Sequence, residues 1–200
     1  MPSNLSWSHS ITPYEYSICE AFATATSRPG KYADTQQGDL SNTVKTALLG
    51  KLGEWAAYWF LYSLYRGKVS PVNMADMEGV GRSFDHDFMM LTPEGIAGIH
   101  VKTCPLNRLK DSSILVQKNS ACSRTDRTFY SPSRSDALLY VQQVHPTVFR
   151  VEVLRSTQAI LNADIFRKPF VPHLIGMKDA LHLEDLLKLP GRYTNPEYRR

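Results

Sequence analysis

The sequence predicts an α/β fold in which a mixed central sheet of about four strands is flanked by helices. Three observations lead there. The readable elements run helix, helix, four strands, helix, helix. The 200 residues are 42% hydrophobic and 21% charged, ordinary for one globular domain. A chain of this size buries roughly 70% of the surface its unfolded form exposes, so it needs no disulfide or structural metal to fold.

The first helix starts at Thr12-Pro13-Tyr14-Glu15. Thr12 caps it, Pro13 suits the first helical position, and Glu15 closes a capping box. Tyr16, Ile18, Cys19, Phe22 and Ala23 form its apolar stripe, and Arg28-Pro29-Gly30 ends it. Residues 31–39 read as a polar loop. A long second helix runs from Ser41 or Asn42 to about Arg66, with Gly67 as the stop. Val44, Leu48, Leu49, Leu52, Trp55, Ala56, Trp59, Phe60 and Leu64 make its stripe wide enough to pack on more than one side. Trp55, Tyr58, Trp59 and Phe60 lie at helical spacing and are read as core, not as a base-stacking surface. Gly50 and Gly53 each cost about 1 kcal/mol against Ala in a helix. They are therefore expected to let another backbone come close. Glu54 stands beside Gly53, in the middle of this apolar helix.

A linker with Pro71, Gly79 and Gly81 follows. Phe84 to Leu91 and Ile96 to Cys104 read as strands joined by the turn Thr92-Pro93-Glu94-Gly95, a β-hairpin. Residues 105–135 are polar except for Ile114-Leu115-Val116. Ala137 to Val144 and Thr147 to Leu154 are two further strands, turned by His145-Pro146. Ser156 caps a short helix over 157–164, and a last helix over 178–189 ends at Pro190-Gly191. The chain thus divides into an N-terminal helical extension (1–40), an α/β core (41–190) and a flexible tail (191–200).

Charge and cysteine usage narrow the function classes. With 23 basic and 19 acidic residues the formal charge is +4, and the pI is near 8.9. That suits a polyanionic partner without requiring one. The excess is concentrated in one segment. Lys102, Arg108, Lys110, Lys118, Arg124, Arg127 and Arg134 face only Asp111 and Asp126 there, among hydroxyl and amide side chains. Such a segment suits a phosphate backbone, or is simply a solvated charged loop. Cys19, Cys104 and Cys122 contain no CxxC pair and are odd in number, which excludes a disulfide framework and a four-cysteine zinc site. Reduced thiols in a cytoplasm are expected. The polar residues Met1 to Ser10 lack an export signal, and Trp55 to Leu64 is too short to span a bilayer. There is no Walker A loop, GxGxxG, GxSxG or HExxH, so no nucleotide cofactor is expected.

The hairpin carries the chemistry. In its second strand Ile99 and Val101 point one way, His100 and Lys102 the other. Asp85 and Asp87 share a face of the strand before it. A tight turn brings Asp87 beside His100 and Lys102. A carboxylate there suits a hard divalent cation, which polarises a phosphate and acidifies bound water. A lysine there orients that water or stabilises transition-state charge. Each residue also has a plainer role. Asp87 caps the strand or pairs with Arg82, and Lys102 snorkels at the surface. His100 is a satisfied, half-buried histidine, and Glu54 is an exposed helix residue paired with Lys51.

The order Glu54 … Asp87 … His100-Val101-Lys102 resembles the PD-(D/E)XK nuclease superfamily. There a helical Glu precedes an Asp on one strand, and a (D/E)-X-K motif follows on the next. The string Asp87-Phe88-Met89-Met90 … Gly98-Ile99-His100-Val101-Lys102-Thr103 is similar to the core hairpin of archaeal Holliday junction resolvases and related restriction-type nucleases. Asp136-Ala137-Leu138-Leu139-Tyr140-Val141 resembles the strand that follows. The resemblance covers roughly Ser41 to Leu154.

It implies a restriction-endonuclease-like three-layer core and a metal-dependent DNA endonuclease of restriction, homing or junction-repair type. Its cofactor would be Mg²⁺, with Mn²⁺ an alternative. Its partner would be double-stranded DNA, and it would act as a homodimer in a bacterial, phage-encoded or archaeal host cytoplasm. Carried over by position, Asp87, Glu54 and the Val101 carbonyl hold metal, and Glu54, Asp87, His100 and Lys102 form the catalytic set. Arg108, Lys110, Lys118, Arg124, Arg127 and Arg134 contact DNA. His100 stands where the motif has an acid, and three readings follow. His100 is a general base or acid, with the very-short-patch-repair and related phage homing nucleases as the similar case. Or Asp85 or Glu94 completes the metal site. Or catalysis is lost and an inactive nuclease-fold DNA- or protein-binding module remains. RNA is a further candidate substrate.

Overall fold

The computed structural model describes residues 7–27, 39–74, 87–93, 95–106, 113–116, 137–156 and 173–176. Their elements are β1 (Trp7–Ser10), α1 (Pro13–Thr26), α2 (Leu40–Leu64), β2 (Phe88–Thr92), β3 (Gly95–Cys104), β4 (Ser113–Val116), β5 (Ala137–His145), β6 (Val148–Ser156) and β7 (His173–Gly176). The helices expected over 157–164 and 178–189, the tail, Arg82, Asp85, Glu94, Cys122 and the basic residues Arg108 to Arg134 lie outside the described residues.

The fold is α/β with a mixed five-stranded sheet in the order β1-β6-β5-β3-β2. The pairs β2–β3, β5–β6 and β1–β6 are antiparallel, and β3–β5 is parallel. β4 and β7 pair separately, antiparallel. The sheet has one strand more than the sequence predicts. Four residues, Trp7 to Ser10, carry too short an alternation to be read as a strand alone, and pairing with β6 makes them one.

The capping box at Thr12 forms as its spacing predicts. The Glu15 backbone N–H donates to Thr12 Oγ1 at 3.2 Å, and the Thr12 N–H donates to Glu15 Oε2 at 2.8 Å. α2 ends at Leu64, and Gly67 takes a left-handed φ of 72° just beyond it.

α2 lies on one face of the sheet. Leu52, Ala56, Phe60 and Leu61 join Phe88, Met90, Ile99, Val101, Leu139 and Phe149 in one core. Strand alternation sorts the rest: Phe88, Met90 and Thr92 point in, while Met89 and Leu91 point out. Gly53 explains the close seating of α2. A Cβ there would overlap the Thr103 side chain of β3, whereas one at Gly50 would meet nothing within 4 Å. The close approach is therefore made by a side chain, and only at Gly53. Trp59 departs from its expected core role, for it is 37% exposed while its neighbour Phe60 is buried. Cys19 and Cys104 are free and buried. Among the described residues, no helix is long and apolar enough to cross a membrane.

Candidate active site at the β2–β3 hairpin

Register sets the site. Phe88 pairs with Ile99, so Asp87, one residue earlier, falls beside His100. The Asp87 N–H donates to the Ile99 carbonyl at 3.0 Å. The side chain then takes over from the backbone, because Asp87 Oδ2 accepts the Val101 N–H at 2.6 Å. The carboxylate thus stands in for the next backbone acceptor of the ladder. The same oxygen lies 3.1 Å from His100 Nδ1. Among the described residues, both of these contacts fall on Oδ2.

β3 divides as its alternation predicts. Ile99 and Val101 enter the core, and His100 and Lys102 are half-buried on the other face. His100 stands opposite Leu138 of β5 and Lys102 opposite Tyr140. Burial alone would raise the Asp87 carboxyl. His100, the Val101 N–H and the charge of Lys102 outweigh it and bring the pKa down to about 2. Asp87 is therefore an anion at neutral pH. The N–H and C=O of one extended residue point to the same side. The Val101 carbonyl accordingly opens on the edge where Asp87 sits.

Glu54 is placed differently. Gly53 rests on Thr103, so α2 covers the face of β3 opposite His100 and Lys102. The Glu54 carboxylate receives a 2.6 Å hydrogen bond from Lys51 Nζ. Lys51 also donates to the Asn73 carbonyl at 2.9 Å and lies 4.3 Å above the Phe22 ring. The Lys51 pairing is thus present, but as a buried ion pair, with the two side chains 9% and 12% exposed. Glu54 also acts on Cys19 of α1. Burial first, then the negative charge of Glu54, pushes that thiol up to about 12, which makes it inert.

Among the described residues, no three His, Cys, Asp or Glu side chains gather into a group able to hold a metal ion. The donors at the hairpin are nevertheless hard oxygens, an ionised carboxylate and a strand-edge carbonyl, the kind that Mg²⁺ takes. Imidazole is a poorer ligand for it, so His100 is better suited to moving a proton.

Sequence reasoning missed a second polar cluster. Glu15, 4% exposed, accepts hydrogen bonds from Trp59 Nε1 at 2.6 Å and Thr12 Oγ1 at 3.0 Å. His9 Nε2 lies 3.1 Å from the same carboxylate. Burial would raise the Glu15 carboxyl, but these donors and the Thr12 N–H hold it below its ordinary value. The capping box was legible, but nothing in the spacing linked it to His9 or Trp59. Set against family models, curated proteins and solved structures, the chain matches none.

Proposed function

We propose that this protein is a metal-dependent DNA endonuclease that hydrolyses phosphodiester bonds, built on a restriction-endonuclease-like core of the PD-(D/E)XK type. One observation carries the reading. Asp87, held ionised at the end of β2, lies beside His100 and within the electrostatic reach of Lys102. An anion, an imidazole and an ammonium at one strand edge suit hydrolysis of a phosphodiester.

Asp87 would hold the cation through Oδ1, with the Val101 carbonyl as a second oxygen. A bound Mg²⁺ or Mn²⁺ supplies Lewis acidity to the phosphate and lowers the pKa of water. Lys102 holds the attacking water or balances charge developing on the phosphate oxygens. His100 Nδ1 faces Asp87, which fixes the ring. Nε2 is then the nitrogen that takes a proton from water or returns one to the leaving oxygen. Glu54, bound to Lys51, steadies α2 against α1 and is left out of the cation's ligand set. The segment from Arg108 to Arg134 supplies phosphate contacts, and a homodimer lets both strands be cut.

A second reading has an observation of its own. The bond from Val101 N–H makes Asp87 a strand cap, which a fold that binds DNA or protein without cutting would also keep. Cleavage assays on plasmid, hairpin and four-way-junction DNA, with an RNA arm, separate the two. Cutting with Mg²⁺ or Mn²⁺ that is lost in Asp87→Ala and Lys102→Ala supports the nuclease. Binding without cutting by the wild type supports the module.

A further inference from the structure

A cleft of about 490 Å³ lies at the other side of the sheet, lined by Trp7, His9, Trp59, Tyr62, Ser63 and Arg66. Its volume is in the range of small-ligand sites. Trp59, Tyr62 and Ser63 stand on the last turns of α2, Arg66 follows in the turn beyond its end, and Trp7 and His9 share one face of β1. β1 and β2 are the opposite edges of the sheet. Four strand spacings, roughly 19 Å, separate them. The cleft is thus distinct from the Asp87 site.

We infer that this cleft binds a nucleotide, with its base stacked on the aromatic walls and its phosphate on Arg66. The walls are flat and presented to solvent, Trp59 being 37% and Tyr62 36% exposed. Trp7 and His9 stand parallel, 5° between planes and 5.8 Å between centroids. Trp59 and Tyr62 meet edge to face at 5.8 Å.

The walls are also fixed in place. Glu15 bonds Trp59 and contacts His9 from behind, more than a helix cap requires, and so sets the orientation of both rings. Rings locked before binding lose little entropy when a ligand arrives. Glu15 itself is covered by His9, Thr12 and Trp59, so its carboxylate does not line the cleft, and Arg66 is the charged side chain that does.

The remaining groups select the ligand. Rigid aromatic faces favour a planar π-system. The planar guanidinium of Arg66 favours phosphate, which it can grip with two hydrogen bonds. A planar ring joined to a phosphate is a nucleotide. It comes either free or as one unit of a single strand, where stacking tolerates any base.

Quenching of tryptophan fluorescence in the full chain tests this, by titration with a mononucleotide (dTMP) and with oligothymidylate of about ten units. Saturable quenching is expected from at least one. Quenching by both marks a free-nucleotide site, and by the oligomer alone a strand-binding site. The double variant Tyr62→Ala/Arg66→Ala, altered at two exposed positions, is expected to bind about tenfold more weakly at an unchanged melting temperature. No quenching by either ligand, or equal affinity in wild type and variant, overturns the inference. Cleavage is measured separately, so its failure leaves the Asp87 reading untouched.

Discussion

Asp87 Oδ2 lies 3.1 Å from His100 Nδ1 across the β2–β3 pair. That oxygen also accepts the Val101 N–H at 2.6 Å. One atom thus ends a β-ladder and orients an imidazole. A structural role and the proposed catalytic one meet in Asp87, and different variants separate them.

Acid should expose the structural role. The Asp87 carboxyl is lowered in the folded chain from 3.8 to about 2. A depressed carboxyl stabilises above its unfolded pKa and loses that contribution as pH falls through the folded value. Stability worth about 2 kcal/mol is therefore expected to fade between about pH 4 and pH 2. Urea midpoints across that window check it, with Asp87→Asn showing the shallower acid limb.

His100→Gln should expose the proposed catalytic role. Glutamine still offers a donor to Asp87 but does not titrate. Under the proposed nuclease activity, the cleavage rate is expected to fall about 10²-fold. Cleavage rates of the two proteins at one pH, with melting temperatures as a folding control, read the effect.

The two glycines of α2 should respond with opposite signs. Gly53→Ala drives a methyl into Thr103 and is expected to cost about 1–3 kcal/mol. Gly50→Ala meets open space and is expected to gain up to about 1 kcal/mol of helix propensity. Thermal melts of the single variants give both.

Glu15 joins α1, α2 and β1 through Thr12, Trp59 and His9. Glu15→Gln is expected to cost about 2 kcal/mol, since it removes a buried charged acceptor. Thr12→Ala is expected to cost about 1 kcal/mol. Both act on the same cap, so the double variant should lose less than the sum. Denaturant unfolding measures all three.

The local parts of the fold were legible in the sequence. Thr12-Pro13-Tyr14-Glu15 marks a helix start through bonds within four residues, and the alternation from Ile99 to Lys102 sorts core from site through strand period alone. The turn at Thr92 to Gly95 follows from adjacent residues. Long-range partners were not legible. The strand nature of Trp7 to Ser10 depends on β6, more than 130 residues later. Trp59 reads as core because spacing shows a stripe and not what covers it, and a neighbouring strand leaves it open. Gly53 signals a close approach, but only the packing shows that Thr103 makes it. In the candidate site, order alone placed Asp87 with His100 and Lys102, because a hairpin is local. The partner of Glu54 was visible as Lys51 at helical spacing, but its burial against α1 was not.

Crystals of the full chain soaked in Mn²⁺ test the central claim most directly, by anomalous difference density. The expected result is a peak within coordination distance of Asp87 Oδ1 and the Val101 carbonyl, absent in Asp87→Ala. Saturating Mn²⁺ with no peak at Asp87 would contradict it.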